Sequence, residues 1–175
     1  MVSAQPGLVP QMSGYLGKHQ IWVATIFVDH FLDYTYVSLM RDLTLDETLL
    51  AKTAFERHVL SGGVASASYH ADNGRFADKG FHDSILAAYQ KITFCTVGAH
   101  HQNGIVERKI KDLTLIARTV LLHASRQWLQ FITATLWPFA LKEAAFRLNK
   151  LTIRANGRSN ESTFFEWMVI SSMLR

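Results

Sequence analysis

Two short segments place carboxylates where chemistry is possible. They are Tyr69-His70-Ala71-Asp72-Asn73-Gly74-Arg75-Phe76 and Ala99-His100-His101-Gln102-Asn103-Gly104-Ile105-Val106-Glu107-Arg108-Lys109, with 34 residues between Asp72 and Glu107. Two carboxylates brought to one place repel each other, and a divalent cation relieves the repulsion. Mg²⁺ is a hard ion that takes oxygen ligands and keeps several waters, so few protein carboxylates suffice. Two such ions about 4 Å apart can activate an attacking hydroxyl and stabilise the leaving oxygen of a phosphodiester. Taken singly, each acid has an ordinary structural role: Asp-Asn-Gly is a common turn, and an acid in a helix's first turn complements the dipole. His70, His100 and His101 fall short of the four well-spaced ligands of a usual zinc site. Cys95 is the one cysteine, so it offers neither an intrachain disulfide nor a cysteine-paired zinc site.

The elements that must position these acids are legible from periodicity. Residues 1–20 contain Pro6, Gly7, Pro10, Gly14 and Gly17 and read as an irregular arm. Ile21 to Val28 is an apolar, β-branched run and reads as a buried strand, followed after a turn by a second strand from Tyr34 to Met40. Thr44-Leu45-Asp46-Glu47 fits a capping box for a helix running to about Leu60, stopped by Gly62-Gly63. A strand from Ala65 to Ala71 leads into the Asp72 turn, so Asp72 sits at a strand end facing a crevice. A helix over Lys79 to Tyr89 and a strand over Ile92 to Val97 follow. The loop from Gly98 to Gly104 opens a long helix whose buried stripe is Val106, Ile110, Leu113, Ala117, Val120 and Ala124. Glu107 shares a face with Lys111, Thr114 and Arg118, beside that stripe rather than opposite it. Trp137-Pro138 starts another helix, residues 154–160 read as a polar linker, and Thr163 to Met173 as a short final helix. The alternation of strands and helices implies an α/β layered domain.

Composition narrows the function classes. At 175 residues, 49% apolar and 18% charged, the chain suits one folded domain rather than a disordered segment. No apolar run is long enough to span a bilayer, and no basic flank with a long apolar core marks a secretion signal. An intracellular protein is the simplest reading. The net charge is +4, but residues 105–158 hold ten Lys/Arg against three Asp/Glu, whereas residues 1–104 hold seven against nine. That asymmetry implies an anionic partner for one face or, more plainly, solvated helix surfaces.

From Pro6 to about Phe165 the chain resembles the integrase catalytic core of copia-type long-terminal-repeat retrotransposons. Phe27-Val28-Asp29-His30-Phe31 with Tyr34-Thr35-Tyr36-Val37 is similar to that family's second and third strands. His70-Ala71-Asp72-Asn73-Gly74 with Phe76 resembles the block around its second catalytic acid. His101-Gln102-Asn103-Gly104-Ile105-Val106-Glu107-Arg108 resembles the block around the third, and Trp137-Pro138-Phe139-Ala140-Leu141 with Ala144, Ala145, Leu148 and Asn149 resembles the helix that follows. The resemblance implies a ribonuclease H-like fold, a mixed sheet flanked by helices. It implies two Mg²⁺ (or Mn²⁺) ions held by Asp, Asp and Glu, and DNA 3′-end processing and strand transfer on element ends and target DNA. It also implies a homo-oligomer acting in the nucleus without membrane attachment. By this resemblance Asp72 and Glu107 are the catalytic metal ligands, while Gln102, Asn103, Arg108, Lys109 and Lys111 meet DNA, the first two in a mobile loop with Gly104.

The chain also departs from the family pattern. The family's first Asp is expected shortly before the Pro-Gly-Leu segment, here Pro6-Gly7-Leu8, and no acid precedes it. The expectation is therefore an N-terminally truncated core with an irregular arm over residues 1–20, a catalytic core over 21–153 and a linker with a short helix over 154–175. Its sheet would lack the first, central strand. Asp29 matches a different family position and reads as a hairpin acid, and Leu32-Asp33 replaces a polar pair. Such a polyprotein fragment would be inactive alone. The alternative is a non-catalytic nucleic-acid-binding or assembly module derived from a retroelement.

Overall fold

A computed structural model of the chain describes residues 2–9, 13–16, 18–95 and 104–173. Its main sheet is built from β1 (Val2–Val9), β4 (Val23–Asp29), β5 (Thr35–Met40), β6 (Ser66–Ala71) and β7 (Lys91–Phe94). Across the sheet the order is β5, β4, β1, β6, β7. The β1–β4 and β4–β5 pairs are antiparallel, and the β1–β6 and β6–β7 pairs parallel. A small hairpin of β2 (Gly14–Leu16) and β3 (His19–Ile21) stands apart from it. The helices are α1 (Leu45–Ser61), α2 (Lys79–Ala87), α3 (Gly104–Gln127), α4 (Trp137–Lys150) and α5 (Asn160–Met173). This is the mixed, helix-flanked, ribonuclease H-like sheet that the resemblance implied.

One expectation is overturned. Within the stretch read as an irregular arm, Val2–Val9 is a strand, and the sheet does not lack its central strand, because Val2–Val9 is that strand. Pro6 and Gly7 signal a loop locally, and proline forfeits a ladder donor. Pairing on both sides outweighs that loss, with Ala4 to Val9 running against Asp29 to Ala24 and Ser3-Ala4 beside Ser68-Tyr69.

Helices cover both faces of the sheet, which is why every residue of β4 is buried. On one face Phe55 and Val59 of α1 and Phe81 and Ile85 of α2 pack on Phe27 and Tyr69. On the other, Val106, Leu113 and Ala117 of α3 meet Ala140, Leu141 and Ala144 of α4 over Ile26 and Val28. Local signals set the helix ends. Thr44 caps α1 by accepting from the Glu47 amide. Glu47, however, accepts from the Arg41 amide at 3.0 Å, and Asp42 serves the Thr44 amide at 2.8 Å. The capping box is thus completed by an Asx turn rather than reciprocally.

The segment read as a linker is tied down. Arg154 donates to the Leu32 carbonyl at 2.6 Å and to Asn160 Oδ1 at 2.8 Å. Beyond it Phe164 is fully buried and stacks on Tyr34 at 4.4 Å, so α5 shares the core of α1 and β5. His58 of α1 completes this corner, with Nε2 2.7 Å from the Tyr34 hydroxyl and its ring stacked on Tyr36. Burial holds the imidazole below its ordinary value of 6.5, and the nearby Glu161 charge opposes this more weakly. The folded-state value is the lower one, so the unfolded chain takes up the proton first as pH falls. This contribution to stability is present above about pH 6.5 and is lost as pH drops through 6.5 toward the depressed folded value. Urea midpoints measured from pH 7.5 down to 5 should therefore fall, and the fall should be smaller in His58→Gln.

Candidate active site at the ends of β6 and β7

Asp72 follows the last residue of β6, where the chain leaves the sheet. Its Oδ1 accepts from the Gly74 amide at 3.3 Å, and the neighbouring Asn73 side chain donates to the Cys95 carbonyl at 2.6 Å. Cys95 in turn donates its amide to the Ala71 carbonyl at 2.9 Å. The Asp-Asn-Gly turn is thereby stapled to the end of β7, and continuing the Ala71–Phe94 register one step sets Cys95 abreast of Asp72.

Glu107 lies in the first turn of α3 and is exposed, while Val106 beside it is fully buried. Both sequence-predicted acids converge electrostatically on Cys95. Burial is the main reason its thiol is held above the ordinary value, and the Asp72 charge and then the Glu107 charge push in the same direction. The Cys95 sulfur sits 3.4 Å from His70 Nε2, and His70 Nδ1 is 2.9 Å from the Thr93 hydroxyl. Sequence reasoning misses Cys95 and Thr93 as parts of this site, because only the parallel pairing of β6 with β7 brings them alongside His70 and Asp72.

The basic residues of α3 divide between two faces. Arg108, Lys111 and Arg118 are exposed. Lys111, one turn after Glu107, is rotated from it by only about 40° around the helix. Lys109, grouped with the DNA contacts, points away from them. It is 8% exposed, and its ammonium lies 2.5 Å from Asp33 Oδ2, with Asp33 itself at φ +58° in the turn between β4 and β5. Gln102 and Asn103, like His100 and His101, lie outside the described residues.

The first acid of a three-carboxylate set is not supplied. β1 carries no Asp or Glu. Continuing the Ala4–Tyr69 register three residues places Gly7 abreast of Asp72. A Cβ on Gly7 would lie 2.6 Å from Val106 Cγ2 and 3.0 Å from Ile110 Cδ1, so α3 occupies the space an acidic side chain would need. The polar residue of β1 nearest to Gly7 on the same face is Gln5, which is buried but uncharged. Asp29 is no substitute, because it pairs with Ala4 on the far side of β1. Two strand spacings and a three-residue offset along the sheet, about 10 Å in each direction, separate it from Asp72. Its carboxylate instead accepts from the Phe31 and Leu32 amides at 3.2 and 2.6 Å. Burial outweighs those bonds and holds its pKa above the ordinary value. Asp29 is a turn acid.

Among the described residues no three His, Cys, Asp or Glu side chains converge closely enough to hold an ion as they stand. Two carboxylates with no third acid on the central strand do not fit a pair of Mg²⁺ ions.

The arrangement of sheet and helices matches solved structures closely enough to name its type. The HTLV-2 integrase catalytic core domain, determined in complex with magnesium, superposes with a TM-score of 0.63 at 18% identity, covering 92% of this chain and 94% of that one. The fold is that of a retroviral integrase catalytic core. The BIV integrase core domain matches with a TM-score of 0.63 at 16% identity over 97% of each chain. The chain also aligns, at a TM-score of 0.67 and 16% identity, with a chain of a simian T-cell lymphotropic virus intasome, covering 94% of this chain and 54% of that one. No protein-family model matches the sequence, and no curated protein matches it either. No helix among the described residues is long and apolar enough to cross a membrane.

Proposed function

We propose that this chain is an integrase-type core derived from a copia-type retroelement that binds DNA along α3 but does not itself carry out 3′-end processing or strand transfer. One juxtaposition carries the reading: Arg108, Lys111 and Arg118 lie exposed on the helix that begins with Glu107, while the central strand beside Asp72 carries Gly7 and no acid. The basic face supplies the phosphate attraction of a DNA-binding protein. The missing third carboxylate removes the means of holding two hard cations around a phosphodiester. In this reading the protein self-associates and acts on element-derived and target DNA in the nucleus.

Duplex binding followed by fluorescence anisotropy over a range of salt tests the first half. Affinity should fall linearly on a log–log plot, and the Lys111→Ala, Arg118→Ala double variant should lower the slope by about 0.9 for each phosphate no longer neutralised. Binding should survive Asp72→Asn and Glu107→Gln. A strand-transfer assay with Mg²⁺ or Mn²⁺ tests the second half, with no product expected above that of the Asp72→Asn protein. Turnover abolished by Asp72→Asn would overturn it. A second reading, a protein–protein assembly module, is favoured by the exposed run of Trp128, Leu129 and Phe131 after α3. Concentration-dependent association without DNA affinity would select it.

A further inference from the structure

We propose that the outer edge of β5 docks an extended acidic peptide of a partner protein, which joins the sheet as an added strand in the groove between α1 and α4. β5 is the last strand on its side of the sheet, so one row of its backbone groups has no strand beside it. The Asp29 amide donates to the Tyr34 carbonyl at 2.8 Å, and this fixes the alternation along β5. Tyr34, Tyr36, Ser38 and Met40 turn their backbone groups to β4, while Thr35, Val37, Leu39 and Arg41 turn theirs outward. Side chains close both ends of the outer row. Asn149 takes the amide and the carbonyl of Thr35, and Glu47 accepts the Arg41 amide. Between those ends, the outward N–H and C=O groups of Val37 and Leu39 have no hydrogen-bond partner among the described residues. Donors and acceptors alternating in this way are what an added strand pairs with.

The space beside them is an open groove of about 500 Å³. Leu50 and Arg57 of α1 line it from one face of the sheet, Lys142 of α4 from the other, and Arg41 stands at the end of β5. These three cations face one lining acid, Glu47, whose carboxylate is already engaged by the Arg41 amide. None of the three is in an ion pair among the described residues. Charge complementarity therefore selects acidic side chains, and Leu50, 62% exposed, offers an apolar contact between them. Nucleic acid fits less well, because phosphates accept hydrogen bonds and would leave the Val37 and Leu39 carbonyls unpaired. A second copy of this edge would set the same cations against each other.

The probe is a short capped peptide alternating glutamate and valine, titrated into the full chain and followed by amide hydrogen exchange. Exchange at Val37 and Leu39 should be fast in the free chain and slowed by the peptide, while Tyr36 and Ser38, already bonded to β4, should not change. The Arg57→Ala, Lys142→Ala double variant should weaken binding about tenfold, through the loss of two exposed charge pairs. The same peptide N-methylated along its backbone keeps its charge but has no ladder donors, and it should not bind. Equal binding of the methylated peptide would overturn the proposal by reducing the site to charge attraction. Unslowed exchange at Val37 and Leu39 under millimolar peptide would also overturn it. So would protection of those amides by duplex DNA, or protection without peptide that grows with protein concentration and assigns the edge to a second copy.

Discussion

Replacing Phe27 by alanine is expected to cost about 3–5 kcal/mol, a large share of the roughly 5–15 kcal/mol that holds a typical domain together. Phe27 is 1% exposed, and its ring stacks on Phe55 with centroids 4.6 Å apart and planes within 5°. It also meets Tyr69 of β6 edge-on at 6.4 Å and Tyr36 of β5 at 6.4 Å. One side chain therefore joins three strands to α1, and deleting it forfeits both the transfer energy and the dispersion attraction around the resulting void. The urea midpoint should drop with the slope unchanged, and Phe27→Leu should lose much less. A midpoint left in place by Phe27→Ala would mean that α1 does not pack on the sheet as described.

The second large effect is expected at Asn149. This residue of α4 is 6% exposed, and its side chain treats the backbone of Thr35 as a neighbouring strand would. Oδ1 accepts the Thr35 amide at 2.9 Å, and Nδ2 donates to the Thr35 carbonyl at 2.7 Å. Asn149→Leu keeps the volume but leaves a buried donor and a buried acceptor unpaired, each costing about 1–3 kcal/mol. The loss should be about 2–6 kcal/mol in urea, together with faster exchange of the Thr35 amide. Protection of that amide unchanged in the variant would sink the argument.

Local signals are legible in this sequence and relational ones are not. The Thr44 cap, the apolar stripe of α3 and the placement of Asp72 just past a strand depend on a few neighbouring residues, and each stands where those residues imply. β1 is hidden because Pro6-Gly7 is a loop signal in isolation, and only pairing with both β4 and β6 overrides it. Lys109 and Lys111 are alike in sequence. A rotation of about 200° between them and the presence of Asp33 at 2.5 Å decide which is buried. Cys95 carries no signal as a lone thiol. Its place beside Asp72 follows from the register of two parallel strands joined through α2, which no local pattern encodes.

The seating of α3 on Gly7 bears on the history open to this domain. A carboxylate on the central strand abreast of Asp72 requires α3 to shift, because its first side-chain atom would lie 2.6 Å from Val106 Cγ2. Trimming Val106 first would open a cavity against the sheet, and adding the acid first would overpack it by about 1–3 kcal/mol. Either first step leaves a less stable protein than the present one, so the packing acts as a ratchet. Descendants carrying it can drift in surface charge while the route to a three-acid centre stays costly.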